Sequence, residues 1–496
     1  MPADAIMIQG TMSGAGKSLL AAGLCRIFRE DGYRVAPFKS QNMALNSFIT
    51  SDGLEMGRAQ AVQAEAAGTE PSVLMNPILL KPTTDMGSQV IVLGKPVGNM
   101  EAREYFRRKK SYLPLIREAY GKLASEYDLI VIEGAGSPAE INLKADDIVN
   151  MGIAEMADAK VLLAGDIDRG GVFAQLYGTC ALLTEQERAR IAGLIINKFR
   201  GDASLLEGGL RTLRDLTGKP VLGVVPYMDV HIEEEDSLAP MLASGIGDAS
   251  EAGLDIAVVR FPKISNFTDF QAFYEEADTS VRFVSSPQEL GMPDAVILPG
   301  TKSTIRDLLW MRSSGLEDAV RSVVRRGSFL FGICGGYQML GRRISDPEDA
   351  EGGGAVRGMG VLPEETVFYR EKTMRQYSGL SDFPVPELSG HRVSGYEVHM
   401  GRTVRSEVPD REAYEGAGIP AGSAAGTYLH GIFDEADFRS AFLSYLAGRK
   451  QTVRASCGAQ GAAAFREEQY RILSETLRRH LDLERICSLC GIRKKR

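Results

Sequence analysis

Ser328-Phe-Leu-Phe-Gly-Ile-Cys-Gly-Gly-Tyr-Gln-Met-Leu340 is an apolar run that stops at Cys334, crosses two glycines and resumes with helix-forming residues. It reads as a buried strand, a sharp turn and the start of a helix. Cys334 then stands at the end of the strand with a helix N-terminus behind its sulfur, a setting that favours the thiolate. Gly335 and Gly336 leave room for a substrate carbonyl beside the backbone. The N–H of Gly335, the residue after the cysteine, can donate to an oxyanion. Most free cysteines are simply buried in cores, so this reading depends on partners elsewhere in the chain.

His430, one of five histidines, lies in Gly426-Thr-Tyr-Leu-His-Gly-Ile-Phe433, after a short β-like run and ahead of a glycine. A cysteine nucleophile needs a base within hydrogen-bond reach, and histidine is the usual one. Upstream, Asp294-Ala-Val-Ile-Leu-Pro-Gly-Thr-Lys-Ser-Thr304 is an apolar strand ending in a loop. Gly300 in that loop can supply a second oxyanion donor. Strand-loop, cysteine turn and histidine, in that order, resemble a class I glutamine amidotransferase domain. The resemblance implies glutamine hydrolysis through a thioester on Cys334, with release of ammonia. Many such domains carry Glu two residues after the histidine. Ile432 stands there here, and Asp434 and Glu435 are out of phase, so the third member is missing or replaced. This departure is typical of the amidotransferase branch attached to cobyrinic and cobyric acid synthases.

The length of 496 residues accommodates two large domains or three smaller ones. Hydrophobic content of 44% and charged content of 25% are ordinary for a soluble globular chain. A net charge of −8 argues against a nucleic-acid partner. Six cysteines, at 25, 180, 334, 457, 487 and 490, show no disulfide framework and suit a reducing compartment. Cys487-Ser-Leu-Cys490 is a single CxxC without the further ligands zinc requires. There is no signal-peptide pattern and no window of the ~18 apolar residues that a membrane span needs. The expectation is a cytoplasmic protein with no membrane partner; a homo-oligomer is compatible with this composition.

The N-terminal half opens with Ala5-Ile-Met-Ile-Gln-Gly-Thr-Met-Ser-Gly-Ala-Gly-Lys-Ser18, a strand, a glycine-rich loop and a helix start. The plain phosphate-loop spacing would put the first glycine at Thr11; Gly10 is one residue earlier, giving a longer loop of the kind seen in dethiobiotin synthetase. The physics is the same. Backbone N–H groups from Ser13 through Gly14 and Gly16 to Lys17 cradle phosphates, Lys17 offsets charge, and Ser18 reaches Mg²⁺. Tyr127-Asp-Leu-Ile-Val-Ile-Glu133 is an apolar strand whose acidic end, Glu133, is suited to holding the same Mg²⁺. Further strands are expected at 34–39, 159–166, 191–198 and 221–226. Unalternating apolar runs mean strands covered on both faces, hence a parallel sheet with its ligands beyond the C-terminal strand ends. Polar clusters follow those ends: Lys39 to Met43, Asn76 to Lys81 with Asp85, Asp146-Asp147 and Asp166 to Gly171. Asp146 is the candidate here for handling the acceptor or an acyl phosphate.

The segments Ala36-Pro-Phe-Lys-Ser-Gln-Asn-Met-Ala-Leu-Asn-Ser-Phe48, Glu55-Met-Gly-Arg-Ala-Gln60, Met75-Asn-Pro-Ile-Leu-Leu-Lys-Pro-Thr83 and Val393-Ser-Gly-Tyr-Glu-Val-His-Met-Gly401 make the resemblance close. With the motifs above, they resemble the cobyric acid synthases of the cobyrinic/cobyric acid amidotransferase family, over residues from about 6 to about 435. The nearest alternative, cobyrinic acid a,c-diamide synthase, shares the two-domain plan without Phe-Lys-x-Gln-Asn-Met in this form; another P-loop ligase with a fused amidotransferase domain is the third reading. The resemblance implies ATP- and glutamine-dependent amidation of the b, d, e and g carboxylates of adenosylcobyrinic acid a,c-diamide. The expected fold is α/β throughout, a P-loop parallel-sheet domain at 1–245 and a class I amidotransferase domain at 252–447. A boundary at 245–252 is expected from the Gly/Ala/Ser-rich composition. Residues 342–392 read as an irregular excursion and 448–496 as a helical appendage.

Overall fold

The computed structural model describes residues 3–83, 87–232, 241–247, 253–405, 418–454 and 461–495. Asp85, Cys457 and most of the expected boundary at 245–252 lie outside them. Two parallel sheets organise the chain. The first has six strands in the spatial order Val221–Pro226, Ile191–Phe199, Lys160–Asp166, Asp4–Gly10, Leu129–Glu133 and Val35–Phe38. Successive residues of one strand enter different cores. Ile6 and Ile8 join Leu20, Leu24 and Phe28 on one face, while Met7 joins Ile130, Ile132 and Leu163 on the other. Side chains alternate across a strand, so covering both faces with helices makes every position apolar. That is the physical source of the unbroken hydrophobic runs.

The second parallel sheet orders Thr279–Val284, Leu254–Val259, Ala295–Leu298, Phe329–Ile333 and Ala424–Thr427. One side of this sheet places the ends of Ala295–Leu298, Phe329–Ile333 and the edge strand Ala424–Thr427 side by side, through the pairs Leu298–Gly332 and Ile333–Thr427. The Pro299-Gly300 loop, Cys334 and the approach to His430 therefore meet at one edge.

Residues 342–392 depart from the expected irregular excursion. They hold Arg343–Asp346, Gly354–Arg357 and the long strand Glu364–Leu380, which pairs antiparallel with Arg392–Arg405. The alternation is hidden because the inward positions of this ribbon meet the other domain through polar groups. Lys372 pairs with Glu55, and Gln376 donates to the Ile49 carbonyl. An apolar patch of Ile49, Tyr396 and Val398, with Met374 against it, closes the same junction.

The C-terminal helices Ala462–His480 and Leu483–Cys490 return to the first domain. Leu473 and Leu477 share a core with Leu20 and Leu24 of the helix Lys17–Glu30. A Cβ on Gly23 would lie 2.2 Å from Leu477 Cδ1, so a larger residue there would make the leucine side chain shift. Cys487 and Cys490 pack against this core, and burial pushes the Cys490 thiol up to about 12.

Candidate active sites

The sharp turn at Cys334 is made at a conformational cost. Its φ of 50° and ψ of −108° lie in a region that non-glycine residues rarely occupy, and such strain is stored where surrounding packing over-determines it. Gly336 permits the turn, since a Cβ there would lie 1.9 Å from the Leu298 carbonyl oxygen. The Gly336 N–H donates to the Pro299 carbonyl at 3.1 Å, tying the cysteine turn to the neighbouring loop. Cys334 is 7% exposed, with Sγ 3.7 Å from the Val398 carbonyl oxygen. Gly300 faces His430 closely enough that a Cβ would lie 2.8 Å from the imidazole Cε1. Gly335 lies against Thr301 of the same loop. The geometry thus gathers Cys334, His430, Gly300 and Gly335.

The missing third group is Asp269. Its Oδ2 accepts from His430 Nδ1 at 2.8 Å, and its Oδ1 accepts the Gly431 N–H at 2.9 Å. Burial by itself would push the His430 imidazolium down, but the Asp269 carboxylate and the adjacent Cys334 outweigh it and hold the imidazolium well above the usual histidine range. Asp269 lies in Phe267–Glu275, upstream of the cysteine, so no spacing relative to His430 marks it. Asn266, at its N-terminal edge, sets Nδ2 3.1 Å from His430 Nε2.

The second site forms where the first sheet meets the glycine-rich loop. Gly14 and Gly16 take φ of 75° and 87°, open to glycine at no steric cost. Lys17 Nζ donates to the carbonyls of Met12 and Gly136 at 3.1 and 3.2 Å, folding the loop around its own ammonium. Gly10 is close by, with a Cβ there lying 3.1 Å from Lys17 Nζ. Thr11 Oγ1 donates to Gln175 Oε1 at 3.1 Å, and Ser13 is exposed at the tip.

Glu133, 2% exposed, is the hub. Its Oε1 accepts from Ser18 Oγ at 2.7 Å and Lys39 Nζ at 2.9 Å; its Oε2 accepts from Gln63 at 2.6 Å and Gln60 at 3.2 Å. Burial disfavours the carboxylate, but Lys39 and these donors outweigh it and hold Glu133 below its usual range. One carboxylate and one hydroxyl are the customary protein share of a Mg²⁺ site completed by phosphate and water, and the convergence of Ser18 with Glu133 fits it. Among the described residues there is no cluster of three His, Cys, Asp or Glu placed to hold a metal. Lys39 and Gln60 stand in segments quoted above and Gln63 in none of them; the helix Arg58–Ala67 beside the sheet brings the three together on Glu133.

Asp146 stands apart from this hub. It lies in the short turn Lys144–Asp146, is partly exposed, and pairs with Lys110 at 2.7 Å. Its neighbour Asp147 does the capping, accepting the N–H groups of Val149, Asn150 and Gly152 at 2.9, 2.8 and 3.1 Å. Asp166 holds Lys198 at 3.0 Å, and Lys198 Nζ donates in turn to the Gly14 carbonyl of the phosphate loop at 2.7 Å.

Residues 6–239 match the CobQ/CobB/MinD/ParA nucleotide binding domain family, and residues 255–438 match the CobB/CobQ-like glutamine amidotransferase domain family. A P-loop nucleotide-binding domain fused to a class I glutamine amidotransferase domain is the plan of a glutamine-dependent amide ligase. The chain is 53% identical to the cobyric acid synthase of Lachnoclostridium phytofermentans, with 98% of each chain covered. It is 52% identical to that of Ruminiclostridium cellulolyticum, covering 98% of this chain and 96% of the relative. It is 49% identical to that of Photorhabdus laumondii, covering 97% of both. The chain belongs to the cobyric acid synthase family. No helix among the described residues is long and apolar enough to cross a membrane.

Proposed function

We propose that this enzyme amidates the b, d, e and g carboxylates of adenosylcobyrinic acid a,c-diamide to give adenosylcobyric acid, consuming ATP and glutamine. The observation that carries the reading is similarity to cobyric acid synthases over 98% of the chain, taking in both sites. Along the chain we assign 1–245 to amide synthesis and 252–447 to glutamine hydrolysis, with 448–496 as a C-terminal helical appendage whose helices Ala462–His480 and Leu483–Cys490 pack on the first domain.

His430 Nε2 takes the Cys334 thiol proton, and the sulfur attacks the glutamine carboxamide carbon. The N–H groups of Gly300 and Gly335 stabilise the oxyanion. His430 returns the proton to the departing ammonia, leaving a thioester that water opens to glutamate. Asp269 holds the imidazole in the tautomer that leaves Nε2 free to act as base.

A free carboxylate does not react with ammonia at neutral pH, because oxide would have to leave. Its oxygen attacks the γ-phosphorus of ATP, ADP departs, and the acyl phosphate yields to ammonia with loss of phosphate and a proton. Lys17 and the loop N–H groups bind the phosphates and offset charge. Ser18 and Glu133 would hold Mg²⁺, which supplies charge neutralisation between phosphates when bound. Asp146 is proposed to position the acceptor near the phosphate loop. Ammonia is mostly protonated at neutral pH, so an enclosed route across the domain junction is part of the proposal.

Mass spectrometry of a reaction with the diamide, ATP and glutamine tests this reading. Four successive carboxyl-to-carboxamide exchanges are expected. Amidation of a and c on cobyrinic acid instead would assign the chain to the diamide synthases, and no product with either acceptor would overturn the proposal.

A further inference from the structure

Asn266 is a buried side chain with one end in each half of the molecule. It is 2% exposed and its backbone is left-handed, at φ 53°. Its Oδ1 accepts the backbone N–H of Ser47, in the strand Ser47–Ile49 of the first domain, at 3.1 Å. Its Nδ2 lies 3.1 Å from His430 Nε2 in the second.

The chemistry of the two partners determines which way the carboxamide points. A backbone N–H only donates, so the atom facing Ser47 is the oxygen and the atom facing His430 is the amide nitrogen. That nitrogen donates, so this bond requires the neutral ring with its lone pair on Nε2, and the imidazolium that Asp269 and Cys334 favour has to break it. Nδ1 is already engaged by Asp269, and Nε2 is therefore the nitrogen left for Cys334. The same lone pair that must accept the thiol proton is occupied. Once Nε2 carries that proton, it faces the Asn266 amide donor with a donor of its own.

Ser47 is in turn tied to the nucleotide side. Its Oγ accepts from Lys81 Nζ at 3.1 Å, and Lys81 pairs with Glu55 at 2.9 Å. The adjacent Asn46 carbonyl accepts the N–H of Arg58, which opens the helix Arg58–Ala67. That helix carries Gln60 and Gln63, both donors to Glu133. A change at Glu133 on filling of the phosphate site thus has a short bonded route to Ser47.

Resting on the glutaminase reading above, we propose that Asn266 is a latch on the base. While it spans Ser47 and His430 it holds glutamine hydrolysis back; a shift of the Ser47 segment when the synthetase site fills withdraws it. Asn266 acts through His430 and is a positioning residue.

The test compares glutamine hydrolysis with and without ATP plus the corrin acceptor in wild type, Asn266→Ala and Asn266→Gly. Asn266→Gly removes the blocking donor and takes the left-handed φ of 53° without strain, so it guards against a backbone defect in the alanine variant. Both variants are expected to raise the unstimulated rate about tenfold, roughly the worth of one hydrogen bond. The ratio of stimulated to unstimulated rates should fall toward one. Alkylation of Cys334 by iodoacetamide in the absence of substrates should quicken in parallel while the thermal melting midpoint stays at the wild-type value; quicker alkylation with a lowered midpoint and no rise in hydrolysis overturns the latch. A wild-type ratio of one, or variants that keep the wild-type ratio, overturns the latch. Failure of the glutaminase reading looks different, namely no glutamine hydrolysis by wild type under any condition.

Discussion

Asp269→Asn should impair glutamine use by about 10²- to 10³-fold, and the figure follows from two hydrogen bonds. Gly431 N–H donates to Asp269 Oδ1 at 2.9 Å. An asparagine that keeps this bond places its oxygen there and turns its NH₂ toward His430 Nδ1. Nδ1 must then be the acceptor, the ring proton moves to Nε2, and the base is lost. The alternative is to flip the amide. The oxygen then serves Nδ1 and the active tautomer survives, but the buried Gly431 N–H is orphaned, at about 1–3 kcal/mol. A charge-assisted bond to the imidazole is also exchanged for a neutral one, costing about 1–1.5 kcal/mol. The flipped route is the less costly, so it determines the rate. The sum, about 2–4.5 kcal/mol, brackets roughly 30- to 2,000-fold at ~1.4 kcal/mol per decade. The assay is steady-state glutamate release beside amidation driven by ammonium salts. Ammonium-driven amidation should be unchanged. A loss smaller than tenfold in glutamine use would refute the orienting role of Asp269, and an equal loss with ammonium would show a structural defect instead.

Cys334→Ser should abolish glutamine-driven amidation and leave ammonium-driven amidation near wild type, measured by product mass; equal loss with both would make Cys334 structural. Lys17→Ala should eliminate amidation with either nitrogen source, by orders of magnitude, while part of the glutaminase rate survives; near-normal ATP turnover would contradict the phosphate-site assignment. Asp146→Asn should release partly amidated corrins with a stability change of ~1 kcal/mol or less, and a wild-type product distribution would leave Asp146 as the surface partner of Lys110. Glu55→Ala strips the counter-ion from two buried ammonium groups, Lys81 and Lys372, that span the domain junction; unfolding melts should show a loss of about 3–5 kcal/mol. Burial disfavours the Glu55 carboxylate, yet the two ammonium groups outweigh it and depress its proton affinity, while burial pulls the Lys372 ammonium down to about 8. A depressed acid contributes stability above its unfolded value, so that part should be lost only as pH falls below about 4.3; Glu55→Ala should remove this acid-side dependence.

Local physics made much of this protein readable in one dimension. The Cys334 turn, the longer phosphate loop at Gly10–Ser18 and the unbroken apolar strands each depend on residues adjacent in the chain. Backbone strain, glycine clearance and two-sided burial leave their mark within a few positions. The strand Glu364–Leu380 escaped because it meets the other domain through Lys372 and Gln376, so no apolar period survives along it. Asp269 and Asn266 escaped for a stronger reason. Each is an ordinary polar residue downstream of a strand, Asn266 at the N-cap of the 3-10 helix Phe267–Glu275 and Asp269 inside it, and nothing local distinguishes it from a solvated one. Only folding sets Asp269 on one nitrogen of His430 and Asn266 on the other, and only folding gathers Lys39, Gln60 and Gln63 on the Glu133 carboxylate. The chain by itself determined which groups can react. The tertiary structure decided how they are charged and what restrains them, because burial and hydrogen bonding between distant segments control protonation, and neither is a property of neighbours in sequence.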